Sequence, residues 1–539
     1  MKYLLLLCCC LSFPGMLSAQ WNYPTYQALQ QQIKSIGSLK QSTVTNIGKS
    51  YAHEDIPIIK IQQGTAIKPT LLIIAGVDGK HPAGIINALN VSQQLLSLPA
   101  DELNVLLDKK SIWIVPLLNP DAYKRNSNAL HWSSGNARNI DNDRDGRLDE
   151  DPPQDLNNDG VIAQMRVKMP VGPYKPHVLN ADYMQRVETN KGDKGNYELY
   201  AEGLNADMDE WFGEDGEGGV NIDRNFTFDY PFFEQESGDY AASEPETKAI
   251  VDLIFNHPQI ATVLHFGLQN NLSIAEQFDQ RKASERIVQS WTNQDVQVSN
   301  LVSQFYNEHM KPLGEASKLN PNKGNLSNTI YYHTGKFSFV TPTWWVPAVK
   351  DSSAQKINLP TSKPEEKFML WVKDQSIQGA ILPWTKVNHP AFPNQEVEVG
   401  GVVERFIHNP PLNFLEESAT LHTRFIVRLL KAMAVLEFTE PKIEALGEDI
   451  YRIEINVYNT GEMPTYPEIA DRLKQVSKMK SILDLQKSQQ FLSGKRLQLH
   501  PSLKAGESKS FSWLVKGKGK VQLTVGCPSA GEKTISINL

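Results

Sequence analysis

The stretch from Leu71 to Gly84, LLIIAGVDGKHPAG, sets the terms for the rest of the chain. Leu71 to Ala75 is a short apolar run, β-branched in its middle and closed by Gly76, and it reads as a buried strand. Apolar residues then recur at helical spacing (Ile85, Ile86, Leu89, Leu95, Leu96), so a helix follows the turn. Between strand and helix stand Asp78 and His81, three residues apart. A carboxylate and an imidazole so placed at a strand's end can converge on one metal ion. Equally, Asp78 can cap the turn while His81 opens a helix at the surface.

A chain of 539 residues exceeds one ordinary core, so two or more domains are expected. With 21% charged residues and a net charge of −7 it has no general basic surface, which argues against nucleic acid as a partner. Residues 1–19 read as a signal peptide: Lys2, an apolar run from Leu4 to Leu11, and small residues at Ser18-Ala19 before Gln20. The run is too short for a permanent anchor, and no other segment is long and apolar enough for stable membrane insertion. The expected location is periplasmic or secreted. Cys8, Cys9 and Cys10 leave with the signal peptide, so the mature chain keeps Cys527 alone and has no intrachain disulfide.

A second strand is expected from Ile112 to Leu118, and residues 141–160, DNDRDGRLDEDPPQDLNNDG, are strongly acidic. Asp141, Asp143 and Asp145 alternate before Gly146, with Asp149 beyond, and Asp155, Asn157 and Asp159 repeat the pattern before Gly160. Alternating oxygen side chains closed by glycine suit calcium, which takes six to eight hard oxygen ligands. Neither repeat has Glu at the twelfth position, so these are not EF-hands, and a solvated acidic loop is the other reading. Residues 167–220 read as a loop-rich lid or rim. A helix opens at Ser243-Glu244-Pro245-Glu246 and feeds a strand, Ala261 to Phe266, which carries His265. A long helix is expected from Glu417 to Phe438, and a break at Pro441. Beyond it, alternating runs such as YRIEINVYNTG and KVQLTVG mark the short antiparallel strands of a β-sandwich.

Several of these segments, taken in order, resemble the zinc carboxypeptidase family (carboxypeptidase A/B-like metallopeptidases), over about residues 22 to 539. The 71–84 stretch resembles the family's first metal-binding segment, with Asp-Gly-Lys-His where the family has His-x-x-Glu, so the two ligand types stand in swapped order. Asn119-Pro120-Asp121 matches the family's "NPDG" turn, and Met165-Arg166 the end of an insertion (141–166) like that of bacterial relatives. Gly219 to Phe226, GVNIDRNF, matches "GVDLNRNF", and residues 324–345 match "GSFSDWAYEHLGIPSFTTELW".

The resemblance implies a zinc ion on Asp78, His81 and His265, although a histidine closing an apolar strand is also a common core residue. It puts Asp223 and Arg224 where an Asn-Arg pair holds the substrate's C-terminal carboxylate. Arg224 suits that task, while Asp223 repels a carboxylate and offers Arg224 an internal salt bridge instead. Arg138 stands where an arginine steadies the oxyanion, Tyr331 falls in register with the substrate-binding tyrosine stretch, and the general-base Glu falls on Pro342. The implied architecture is an α/β domain over residues 20–440, with a mixed, mainly parallel central sheet flanked by helices, followed by a β-sandwich over 441–539. Two functions are implied. One is an exported metallocarboxypeptidase-like hydrolase acting on peptides or cell-wall peptides. The other is a non-catalytic peptide- or glycan-binding pseudoenzyme that has lost its base.

Overall fold

The computed structural model describes residues 23–141, 146–148, 151–205, 212–213, 216, 218–316, 319–347, 364–474 and 476–539. The signal-peptide segment lies outside them, as do Asp143, Asp145 and Asp149. The chain opens with α1 (Tyr26–Gly37), β1 (Ser42–Lys49), β2 (Asp55–Ile61), β3 (Thr70–Ala75), α2 (Pro82–Leu96), α3 (Ala100–Asp108), β4 (Ser111–Val115) and α4 (Pro120–Asn126). An excursion follows through β5 (Gln164–Gly172), β6 (Tyr174–His177), β7 (Asn180–Arg186) and β8 (Gly195–Ala201). The chain then returns through α5 (Pro245–Asn256), β9 (Ile260–Phe266), α6 (Asn293–Met310) and β10 (Phe337–Thr341). It leaves again for β11 (Ile381–Val387) and β12 (Val397–Val402), and closes the α/β part with α7 (Asn413–Ala432).

The central sheet has the order β1-β2-β4-β3-β9-β10. β4, β3, β9 and β10 pair in parallel, and β1 and β2 add an antiparallel edge. Every residue of β3, β4, β9 and β10 is buried, which is why β3 and β4 read as nearly continuous apolar runs, while β9 and β10 also bury Thr262, His265, Ser338 and Thr341. One face packs against α1, α2, α6 and α7 through residues such as Leu29, Leu89, Val302 and Phe425. The other packs against α5 and the turns that carry Ile222, Phe226 and Leu326. The expected mixed, mainly parallel sheet flanked by helices is what forms.

The 167–220 region departs from expectation. β5 to β8 are strands of a second six-stranded sheet, ordered β11-β12-β5-β8-β6-β7. Its backbone polar groups are satisfied by pairing β5 with β12, more than two hundred residues apart, a partnership that local composition does not announce. Arg166 anchors the sheet: its guanidinium pairs with Glu398 at 2.7 Å and lies between the rings of Tyr197 and Trp384.

The C-terminal part is built of two antiparallel sheets, of five and four strands, between Leu436 and Asn538, around a core that includes Ile455, Phe511, Trp513 and Leu523. Its first strand, Leu436–Phe438, begins before Pro441, because the expected long helix ends at Ala432. Among the described residues no helix is long and apolar enough to cross a membrane.

Candidate functional site

The parallel strands β3, β9 and β10 end side by side, and the chain leaving each one carries a residue that the sequence singles out. This is the edge of an α/β sheet where ligands bind. Gly76 makes the turn after β3 at a φ of +63°, and a Cβ there would lie 2.9 Å from Ile85 and 3.1 Å from the Leu117 backbone. Asp78 then accepts the Lys80 N–H at 2.8 Å, so it does cap the turn. His81 opens α2 as expected, but buried rather than at the surface. Its Nε2 lies 3.3 Å from the Thr343 hydroxyl, just past β10. Burial, with His408 and His265 nearby, pushes the His81 imidazole down to about 3, opposed by a hydrogen bond with the Phe266 carbonyl.

His265 sits in β9 between Ile74 of β3 and Val340 of β10. Both of its ring nitrogens are buried without a hydrogen-bond partner, and burial pushes its pKa down to about 3. Among the described residues no group of three or more His, Cys, Asp or Glu is so arranged that it could hold a metal ion. Asp78, His81 and His265 are neighbours, but the Asp78 carboxylate is turned to an amide of its own turn and His81 to Thr343 and Phe266. As they are placed here, the three do not fit a zinc ion.

The residues expected to hold substrate are engaged elsewhere. Asp223, 4% exposed, accepts hydrogen bonds from Gln269 Nε2 at 2.6 Å and the Leu326 N–H at 2.9 Å. Burial pushes its carboxyl up to about 7. Arg224 pairs with Glu234 at 2.8 Å, and not with Asp223, and Lys323 shares that glutamate at 2.9 Å. Arg138 pairs with the fully buried Glu244 at 3.0 Å and with Asp239 at 3.4 Å, and its guanidinium lies over the Tyr51 ring. Tyr331 is a core residue: its hydroxyl donates to Asp295 at 2.8 Å, and its ring stacks on Trp291 with centroids 4.2 Å apart. A tyrosine so held cannot swing onto a ligand.

Of the acidic loop, Asp141 accepts the Gly146 N–H at 2.9 Å. Asp155 accepts the Asp159 and Gly160 N–H groups, and Asp159 that of Val161. Glu202, at the end of β8, clamps the turn from beneath by accepting the Leu156 and Ala163 N–H groups at 2.9 and 2.8 Å. The described part of the loop thus closes on its own hydrogen bonds, and no group of three carboxylates gathers there to support calcium.

Above the strand ends lies a cleft whose far wall is the second sheet. One lobe, of about 620 Å³, carries the charged groups of the cleft, Asp78, Lys80, His131, Glu404, Arg405 and His408, within a lining that is otherwise largely apolar. The other, of about 410 Å³, is apolar, with Tyr183, Met184, Pro342, Trp344, Trp345 and Phe368. The lobes share Gln164, Tyr174, Leu199, Val402, Ile407 and His408. One buried amide joins the floor: Asn409 donates to the carbonyls of Lys80 and Arg405, both at 2.9 Å, and accepts the Ala83 N–H at 3.2 Å. Sequence reasoning missed Lys80, His131, Glu404, Arg405 and His408. The available signal was ERFIHNPP at 404–411, a run of charged and imidazole groups halted by two prolines ahead of a long helix.

A mixed sheet with its polar cleft at the ends of parallel strands, roofed by an inserted sheet, defines an α/β protein of the metallocarboxypeptidase type. The sequence model described as zinc carboxypeptidase matches residues 28–339, and the chain belongs to that family. A second, described as a domain of unknown function (DUF8731), matches residues 435–538. No curated protein matches. Among solved structures the chain is similar to bovine thrombin-activatable fibrinolysis inhibitor in complex with tick carboxypeptidase inhibitor, at 15% identity over 66% of this chain and 96% of that one, with a TM-score of 0.37. It is also similar to the carboxypeptidase A from Helicoverpa armigera (15% identity, 66% and 74% covered, TM-score 0.36). A third is a metallo-carboxypeptidase from Burkholderia cenocepacia (12%, 75% and 68%, TM-score 0.33).

Proposed function

We propose that this protein binds the C-terminal ends of peptides in the two-lobed cleft without ordinary carboxypeptidase turnover. The observation that carries the reading is Pro342. It stands where the family resemblance calls for a general base, and it is a wall of the apolar lobe. A positioned base contributes about 10²–10⁴-fold to such a reaction, and proline has neither a titratable group nor a backbone N–H. The pairing of Arg138 with Glu244 and of Arg224 with Glu234 supports the same reading, since each guanidinium already holds a carboxylate of the protein. No step through a metal ion enters it.

The test is a panel of peptides with free C-termini, cell-wall peptides among them, offered to the unmodified protein and to Pro342→Glu. Calorimetry follows binding and mass spectrometry follows cleavage. Binding without cleavage by the unmodified protein is expected, and robust metal-dependent turnover by it overturns the reading. The same reading takes the protein to be exported, on the signal pattern of residues 1–19. Sequencing of the mature N-terminus is then expected to begin at Gln20, and a retained Met1 overturns export by cleavage.

A further inference from the structure

We infer that Thr343 is a metal-excluding residue: its hydroxyl holds the ring nitrogen of His81 that a zinc ion would need, so a hydrogen bond within the protein takes the place of a bond to the metal. The inference goes beyond the peptide-binding reading and does not depend on it.

His81 is oriented as metal-binding imidazoles commonly are, with one nitrogen on a backbone carbonyl and the other facing away from it. The carbonyl is that of Phe266, at the end of β9. A carbonyl only accepts, so the ring nitrogen that faces it carries the hydrogen and the other keeps a lone pair. Thr343 Oγ1 lies 3.3 Å from Nε2, which makes Nδ1 the protonated nitrogen and the threonine hydroxyl the donor to Nε2. Zinc binds an imidazole through that lone pair, and here a hydroxyl hydrogen has it.

Thr343 is held there from behind. It is fully buried with Ser418 of α7, whose hydroxyl donates to the Thr343 carbonyl and lies 3.2 Å from His422 Nδ1. Two residues earlier, Thr341 Oγ1 meets the Tyr306 hydroxyl of α6 at 2.5 Å, and the Thr341 carbonyl accepts the Gly267 N–H at 3.1 Å. The exits of β9 and β10 are thereby tied together, and two helices fix the second of them. The other two expected ligands are turned aside as well. A Cβ on Gly267 would lie 2.3 Å from His265 Cε1 and 2.5 Å from its Nε2, so that edge of the ring packs on main chain. Asp78 accepts the Lys80 N–H at 2.8 Å and faces Asn221 Nδ2 at 3.5 Å. Of the three, His81 is the one whose donor atom is held by a side-chain hydroxyl, and that hydroxyl can be removed by one substitution.

The test reads zinc binding and the His81 tautomer separately. Chelator-treated protein is titrated with zinc alone, and the binding that His81→Ala abolishes is the binding at this position. The unmodified protein is expected to bind there only above micromolar zinc. Thr343→Val keeps the shape without the hydroxyl and is expected to bind roughly 2–10-fold more tightly, the worth of one hydrogen bond. Thr343→Ser keeps the hydroxyl and is expected to match the unmodified protein. Nitrogen NMR of histidine-labelled, metal-free protein near neutral pH is expected to show the His81 hydrogen on Nδ1. The Nε2 resonance is expected to move in Thr343→Val and to stay in Thr343→Ser. Tight His81-dependent zinc binding by the unmodified protein overturns the inference, and so does a hydrogen on Nε2, which needs no variant. Equal zinc affinity with and without the hydroxyl, or an equal gain in both variants, overturns it too. Each of these results leaves the peptide-binding reading standing, since that one is decided with peptides and Pro342→Glu.

Discussion

At the scale of single residues, the side chains that a carboxypeptidase would aim at its substrate are here part of the protein's own framework. Asp223 is the clearest case. Its ordinary value is 3.8, and burial raises it to about 7 in the folded state. The stability it contributes is therefore complete below pH 4 and is lost as the pH rises through 7. A rise of that size corresponds to about 4 kcal/mol at most. Asp223→Asn keeps the acceptor for Leu326 and lets Gln269 turn its amide to suit. Urea titrations of this variant are expected to show a flatter stability profile between pH 4 and 8 and greater stability than the unmodified protein at pH 8. An unchanged profile would show that Asp223 titrates normally. Arg138→Ala leaves Glu244 buried without its cation and is expected to cost about 3–5 kcal/mol. The corresponding check on function is that peptide affinity stays the same at temperatures where the variant is folded.

At the scale of elements, the turn after β3 and the loop before α7 act as one unit because Asn409 hydrogen-bonds both. A second joint of this kind links α6 to the C-terminal part. Asp295, near the start of α6, accepts the N–H groups of Glu468 and Ile469 at 2.7 and 3.1 Å as well as the Tyr331 hydroxyl. Asp295→Ala strands these donors in a buried contact, and a loss of about 2–4 kcal/mol is expected. Amide exchange at Glu468 and Ile469 should quicken far more than exchange in β9. Equal quickening everywhere would mean that the joint is not local. The Glu202 clamp makes a similar forecast: Glu202→Gln should speed proteolysis within residues 155–163, because the neutral amide accepts the two loop N–H groups less strongly.

At the scale of the molecule, the cleft has three parts, each assembled from stretches of chain far apart in the sequence. β3, β9 and β10 supply its floor, β5 and β8 with the end of β12 its far wall, and residues 403–409 its polar rim. The strand ends bear most of the motifs that mark the family, and Met165-Arg166 on β5 adds one to the wall. This explains how a chain can keep the order of the zinc carboxypeptidase segments and still place different chemistry above them. Its distinguishing residues lie both at the strand ends, as with Pro342, and on the rim, as with Glu404, Arg405 and His408.

The amino-acid sequence by itself determined the elements and their order. The buried strand β3 is a nearly continuous apolar run, α2 and α5 have helical periodicity behind a proline, and the C-terminal strands alternate, all properties of contiguous residues. The family resemblance implied that Asp78, His81 and His265 would come together, and of these the His81 and His265 imidazoles lie near enough to influence each other. What only the tertiary structure decided was who partners whom. Arg138 meets Glu244 across 106 positions, Asp295 meets Glu468 across 173, and β5 finds β12 rather than remaining a loop. The physical reason is that a charge or a strand edge is satisfied by whatever complementary group the packed core brings within about 3 Å. The sequence names the groups that need partners, and the packing chooses among them.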